Sequence, residues 1–138
     1  MLEQLAFEYI EPSGNSRCIG ISLQGDHYLV KTAKGYLGLY SAEYFLHFTC
    51  PVNDMDPFFS ERFAELKIYG WRKEYRKDPV SAKSLWSLTY KETEKKTRRV
   101  INGSQLYPER WDDFLNLLYR VAPDTDDLKL WIFRIPRY

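Results

Sequence analysis

The sequence predicts an α+β domain: an antiparallel β-meander of about six to seven strands, packed with two main helices at about 57–69 and 108–121. Three observations predict it. Short runs of alternating apolar and polar residues fill the N-terminal part, separated by turns rich in Gly, Pro and Asn. Two later segments carry apolar residues at helical spacing, and each opens at a proline. Between them lie two more strand-like runs joined by a charged turn, Lys91 to Lys96.

Leu2 to Ile10 reads as a first strand, with Leu5, Phe7 and Tyr9 on one face and Glu8 on the other. Glu11-Pro12-Ser13-Gly14-Asn15-Ser16 is a loop by composition. Arg17 to Leu23 and His27 to Thr32 form a hairpin about Gln24-Gly25-Asp26. Tyr36 to Tyr40 reads as a short strand, and Tyr44 to Cys50 alternates with Tyr44, Leu46, Phe48 and Cys50 on one side.

Asp56-Pro57 signals the first helix: an Asp side chain accepts from free backbone amides, and a Pro at the first helical position loses no bond. Phe59, Phe63 and Leu66 make its apolar stripe, and Gly70 is its expected stop. From Trp71 to Lys83 the chain is basic and irregular, with a bend at Asp78-Pro79. The strand Trp86-Ser87-Leu88-Thr89-Tyr90 and a second one ending near Ile101 make a hairpin. The second helix is expected from Pro108, with Trp111, Phe114, Leu115, Leu118 and Val121 on one stripe. Glu109, Asp112 and Asp113 load its N-terminal end, and Arg120 sits near the other, as the helix dipole prefers. Beyond Pro123 the pattern is ambiguous. Leu128, Trp131, Ile132 and Ile135 fit a helix, whereas Leu128, Leu130 and Ile132 fit a strand; the helix is preferred.

At 138 residues the chain is sized for one domain, and its 44% hydrophobic content supports one real core. The high aromatic share, 17%, belongs mostly to that core. No apolar run reaches the roughly 18 residues of a membrane span, and the N-terminus lacks the pattern of a signal peptide. A cytoplasmic protein without membrane attachment is expected, with Cys18 and Cys50 as free thiols. The net charge is +1, but it is unevenly spread. Residues 1–66 carry four bases against nine acids, and residues 67–110 carry twelve bases against five acids.

Leu66, Ile68, Trp71 and Tyr75 are followed by Trp86-Ser87-Leu88, then Gly103 with Tyr107-Pro108, then Trp111 and Phe114. This pattern resembles a group of small, uncharacterised bacterial proteins. Their sequences carry a helix ending in Leu-x-Ile-x-x-Trp, a Trp-x-Leu strand, a charged turn, a Gly-x-x-x-Tyr-Pro loop and an aromatic helix. The likeness covers roughly residues 63–118. It implies an α+β domain and a bacterial source, and it implies no reaction. Many of those sequences place a Gly shortly before the Trp-x-Leu strand, where this chain has Ser81-Ala82-Lys83-Ser84.

The chemistry-bearing residues are scattered. His27, His47, Cys18 and Cys50 show no metal-ligand spacing. His47 and Cys50 stand three apart on a strand and therefore on opposite faces, which disfavours a nucleophilic pair. The region from Gly103 to Pro108 lacks the glycine spacing of a phosphate loop. Asp124, Asp126 and Asp127 lack the glycine and distal glutamate of a calcium loop. No catalytic residue, metal or cofactor is assigned, and a non-enzymatic role is preferred. The one constellation to carry forward is the run Lys67, Tyr69, Trp71, Arg72, Lys73, Tyr75, Arg76 and Lys77, where cations interleave with aromatics. The leading expectation is a protein-binding module, with toxin neutralisation of the immunity type as one form of it. The alternative is single-stranded nucleic acid, with bases stacking on the rings and cations meeting the phosphates. Neither the identity of a partner nor the oligomeric state is legible in the sequence.

Overall fold

A computed structural model describes residues 1–25, 27–36, 39–40, 46–76, 85–122 and 128–137; the side chains of 27, 39–40 and 46–58 lie outside that description. Expectations that fall beyond it are the turn residue Asp26, the start of the strand at Tyr44, the bend at Asp78-Pro79, the loop at Ser81 to Ser84, and the acids at Asp124, Asp126 and Asp127.

The strands are β1 (Leu2–Ile10), β2 (Asn15–Gln24), β3 (His27–Tyr36), β4 (Leu39–Tyr40), β5 (Leu46–Pro51), β6 (Glu74–Arg76), β7 (Leu85–Glu92) and β8 (Arg99–Ser104). The helices are α1 (Val52–Glu65), α2 (Trp111–Val121) and α3 (Leu128–Arg134). The α+β class therefore holds. The sheet is mixed, with order β4-β3-β2-β1-β7-β8-β6 and β5 also paired to β3. Only part of it is an antiparallel meander. β1, β2 and β3 follow one another as hairpins, but β1 takes β7 as its second neighbour, from Ile10 opposite Leu85 to Leu2 opposite Glu92. β6 runs parallel to β8, with Tyr75 beside Gly103.

Alternation decides which face is buried. Leu5, Phe7 and Tyr9 of β1, Ile19 and Ile21 of β2, Tyr28 and Val30 of β3, and Trp86, Leu88 and Tyr90 of β7 all lie on the covered face. The helices pack there. Phe7 meets Phe114 of α2 edge-on at 5.3 Å, Tyr28 meets Phe59 of α1 at 6.0 Å, and Tyr9 meets Trp131 of α3 at 6.3 Å. The other face presents Gln4, Ala6, Glu8, Ser22, Thr89 and Lys91 toward solvent. Trp111 is at the centre of the aromatic cluster. It is fully buried, 4.7 Å from Trp86 and 5.0 Å from Tyr107 between ring centroids, and its indole N–H donates to the Pro136 carbonyl at 2.9 Å.

Three boundaries differ from those the sequence predicts. α1 starts at Val52 directly after β5, so Pro57 lies inside the helix rather than at its first position. The proline signal reads local propensity, whereas here the chain enters the helix without an intervening loop. The same helix ends at Glu65. Lys67 takes a left-handed conformation, φ 53°, and a single 3-10 turn, Ile68–Gly70, turns Ile68 into the core. The left-handed reversal expected of Gly70 thus falls on Lys67. α2 starts at Trp111 rather than Pro108, because Arg110 is left-handed at φ 64° and the Trp111 amide donates to the Pro108 carbonyl in a tight turn. Its apolar stripe and acidic first turn are as expected, with Phe114, Leu115 and Leu118 buried. The C-terminal segment is helical over α3, burying Leu128, Trp131 and Ile132. Among the described residues no helix is long and apolar enough to cross a membrane.

Candidate functional site

The run from Lys67 to Lys77 does not form one surface. Trp71 is only 6% exposed, packed 5.8 Å from Phe114 and 6.5 Å from Trp111. Tyr75 is 7% exposed, on β6, with its ring 6.0 Å from Trp86. Neither ring offers a free face for stacking. The Tyr75 hydroxyl accepts from the Arg72 amide at 2.9 Å, and the Arg72 guanidinium lies 4.6 Å over that ring, so Arg72 covers the core edge. Arg76 pairs with Glu74 at 3.5 Å. Lys67 is exposed at its reversal, and Lys77 lies outside the described residues. Tyr69 and Lys73 remain, and the fold brings them to the same cleft.

That cleft has a volume of about 550 Å³. It lies where the 3-10 turn meets the turn end of the β7–β8 hairpin. Lys73, Lys91, Lys95, Arg98 and Arg99 line it, and among the described residues Glu92 is the one acid that does. Tyr69 forms part of the wall and is 69% exposed. The cations do different things. Arg99 donates to the carbonyls of Ile68 and Trp71 and reaches the Tyr90 hydroxyl, so its guanidinium holds the 3-10 turn against β8. Lys91 pairs with Glu3 at 2.9 Å, and Arg98 donates to the Gln4 side chain at 3.0 Å. Lys73 and Lys95 have no ion-pair partner among the described residues, and both side chains are exposed.

Beside the cleft runs a second groove of about 380 Å³, between α1 and the β1–β7 pair. Leu2, Phe63 and Ile68 floor it, with Ser60 and Ala64 of α1 along one side. Tyr69, Tyr90 and Glu92 line both spaces. Among the described residues the groove's charged side chains are Glu61 and Glu92, and the ammonium of Met1, which also lines it, pairs with Glu94 at 2.7 Å.

Among the described residues no three His, Cys, Asp or Glu side chains gather as metal ligands. The backbone register places Cys18 opposite Ala33 and Cys50 opposite Tyr28, on strands that flank β3, so these two positions are not neighbours. Cys18 is a free thiol whose pKa is pushed up to about 12, first by burial and then by the Glu8 carboxylate beside it. A thiol held neutral in this way is a poor nucleophile. No family model matches the chain, and no curated protein matches it.

Sequence reasoning missed the contribution of the hairpin tip. Lys91 and Lys95 read there only as part of an exposed turn, Lys91 to Lys96, and Arg98 and Arg99 carry no assignment there. The signal available was the excess of bases over residues 67–110, which marked the region but not which cations converge.

Proposed function

We propose that this chain is a non-catalytic binding domain whose ligand is an acidic protein surface docked over the basic cleft. The observation that carries the reading is the convergence of Lys73, Lys91, Lys95, Arg98 and Arg99 on one cleft, with Glu92 as the one acid lining it among the described residues. The exposed cations among them, Lys73, Lys95 and Arg98, steer an oppositely charged partner and set its association rate. An immunity-type protein, which neutralises a toxin by covering it, is one member of this class, and a cytoplasmic bacterial setting suits it. The resemblance to the small bacterial proteins rests on the motif residues from Leu66 to Phe114, and several of these, Trp71, Trp86 and Trp111 among them, are buried anchors of the fold. Single-stranded nucleic acid is the less favoured ligand, because two of the three rings in the run from Lys67 to Lys77 are buried and cannot stack on bases.

The test is affinity purification from the native host with the parent chain and with a Lys73→Glu, Lys95→Glu variant. The parent retains a stoichiometric acidic protein that elutes as salt is raised, and the variant does not. A partner retained equally by both chains, or a nucleic acid recovered in its place, overturns the reading.

A further inference from the structure

The basic cleft does not end at its own rim. Tyr69, Tyr90 and Glu92 also line the groove beneath α1, so the two spaces adjoin. Their chemistries are opposite. The cleft gathers five Lys and Arg side chains, whereas among the described residues the groove has no Lys or Arg side chain and is floored by Leu2, Phe63 and Ile68, and the Met1 ammonium at its edge is taken up by Glu94. With the Met1 ammonium neutralised by Glu94, the charges left along the groove are those of Glu61 and Glu92, which disfavour an anionic group. Only an uncharged, apolar group fits there without leaving a charge unpaired. Between the two spaces stands Tyr69, a ring 69% exposed on a turn that Arg99 holds by two carbonyls. An exposed ring on a backbone turn held in this way is a ready contact for an apolar neighbour.

We propose that cleft and groove form one composite site for an acidic peptide segment carrying a single large apolar side chain, with the acids over Lys73, Lys95 and Arg98 and the apolar side chain seated in the groove past Tyr69. The inference rests on the binding role assigned to the cleft and narrows its ligand. The occupant follows from charge complementarity. Anionic groups are accepted only on the cleft side and apolar groups only on the groove side, so the ligand changes character within a few residues. A nucleic-acid strand carries a charge at every step, and a strand continuing from the cleft would pass its phosphates by Glu61 and Glu92. A large side chain desolvated in a pocket is the usual form of a binding hot spot.

The probes are fluorescein-labelled peptides followed by anisotropy at low salt, with the unmodified chain. The first alternates glutamate and aspartate around one central tryptophan. The second has alanine in place of the tryptophan, and the third has glutamine in place of every acid. The first binds at least about tenfold more tightly than either of the others, a difference well above the precision of such titrations. A variant Ala64→Gln fills the groove from the exposed face of α1 without changing charge, and it lowers the first peptide's affinity to that of the second. Equal binding of the first two peptides overturns the composite site while the acidic-partner reading stands. Binding of the first peptide that is indifferent to Lys73→Glu with Lys95→Glu overturns both. Tighter binding of oligouridylate than of the first peptide overturns the peptide assignment in favour of nucleic acid.

Discussion

Substituting Gly103 by alanine tests the packing that holds the hairpin to α2. A Cβ at Gly103 would lie 2.2 Å from the Cε2 and Nε1 atoms of Trp86 and 2.5 Å from its Cζ2. The indole would have to retreat by more than an ångström to reach ordinary contact, and its surroundings resist that. Its N–H donates to the Leu106 carbonyl at 3.1 Å, Trp111 lies 4.7 Å from it between centroids, and Tyr75 lies 6.0 Å away. Overpacking a core of this density costs roughly 1–3 kcal/mol, and a weakened hydrogen bond adds about 1 kcal/mol. Gly103→Ala is therefore expected to lose about 2–4 kcal/mol. At roughly 3 °C per kcal/mol for a chain of this size, the melting temperature falls by about 6–12 °C. Thermal unfolding followed by far-UV circular dichroism measures the loss, and near-UV ellipticity reports the displaced tryptophans. Gly25→Ala is the control. Gly25, unlike Gly103, has a positive φ, 64°, and nothing lies within 4 Å of its added Cβ, so only backbone strain of about 1–2 kcal/mol applies. A Gly103→Ala protein melting within about 2 °C of the parent, with an unchanged near-UV spectrum, refutes the reasoning.

Two further outcomes are expected. Arg99→Met removes the charged donor to the Ile68 and Trp71 carbonyls; the loss is about 2–4 kcal/mol in urea denaturation, and amides from Lys67 to Lys73 exchange faster with solvent. Unchanged exchange in that segment would show that the turn does not depend on the guanidinium. Cys18, with its pKa raised to about 12, contributes stability that is fully present below the ordinary thiol value near 9 and is lost as pH rises through 12, at about 1.4 kcal/mol per pH unit between them. Urea melts of the parent and Cys18→Ala at pH 7 and pH 10.5 check this, with the additional alkaline loss confined to the parent. Rapid alkylation of Cys18 at pH 8 in a Cys50→Ser background would contradict it.

Local pattern in the sequence determined which residues face inward. The alternation of Leu5, Phe7 and Tyr9, the row Trp86, Leu88 and Tyr90, and the helical stripe Trp111, Phe114, Leu115 and Leu118 are all buried as their periods require. A period shows which side of an element is apolar, but not which other element covers it. The pairing of β1 with β7, some eighty residues apart in the chain, is a long-range choice of this kind. So is β6, whose three residues are too few to show an alternation and which forms because β8 offers a free edge. Helix starts failed for the same reason. Pro57 and Pro108 signal where a helix is locally permitted, whereas the route out of β5 and the left-handed Arg110 set where α1 and α2 begin.

The candidate site divides along the same line. The sequence by itself marked the basic excess around residues 67–110 and the interleaved rings from Lys67 to Lys77. It could not tell a ring that faces solvent from one that anchors the core, since both occupy the same kind of local context. Tertiary packing decided that Trp71 and Tyr75 are drawn into the cluster around Trp111, that Tyr69 is left exposed, and that the cations of a distant hairpin tip come to Lys73. The physical reason is that burial is a property of neighbours brought by the fold, whereas charge and aromatic character belong to each residue alone.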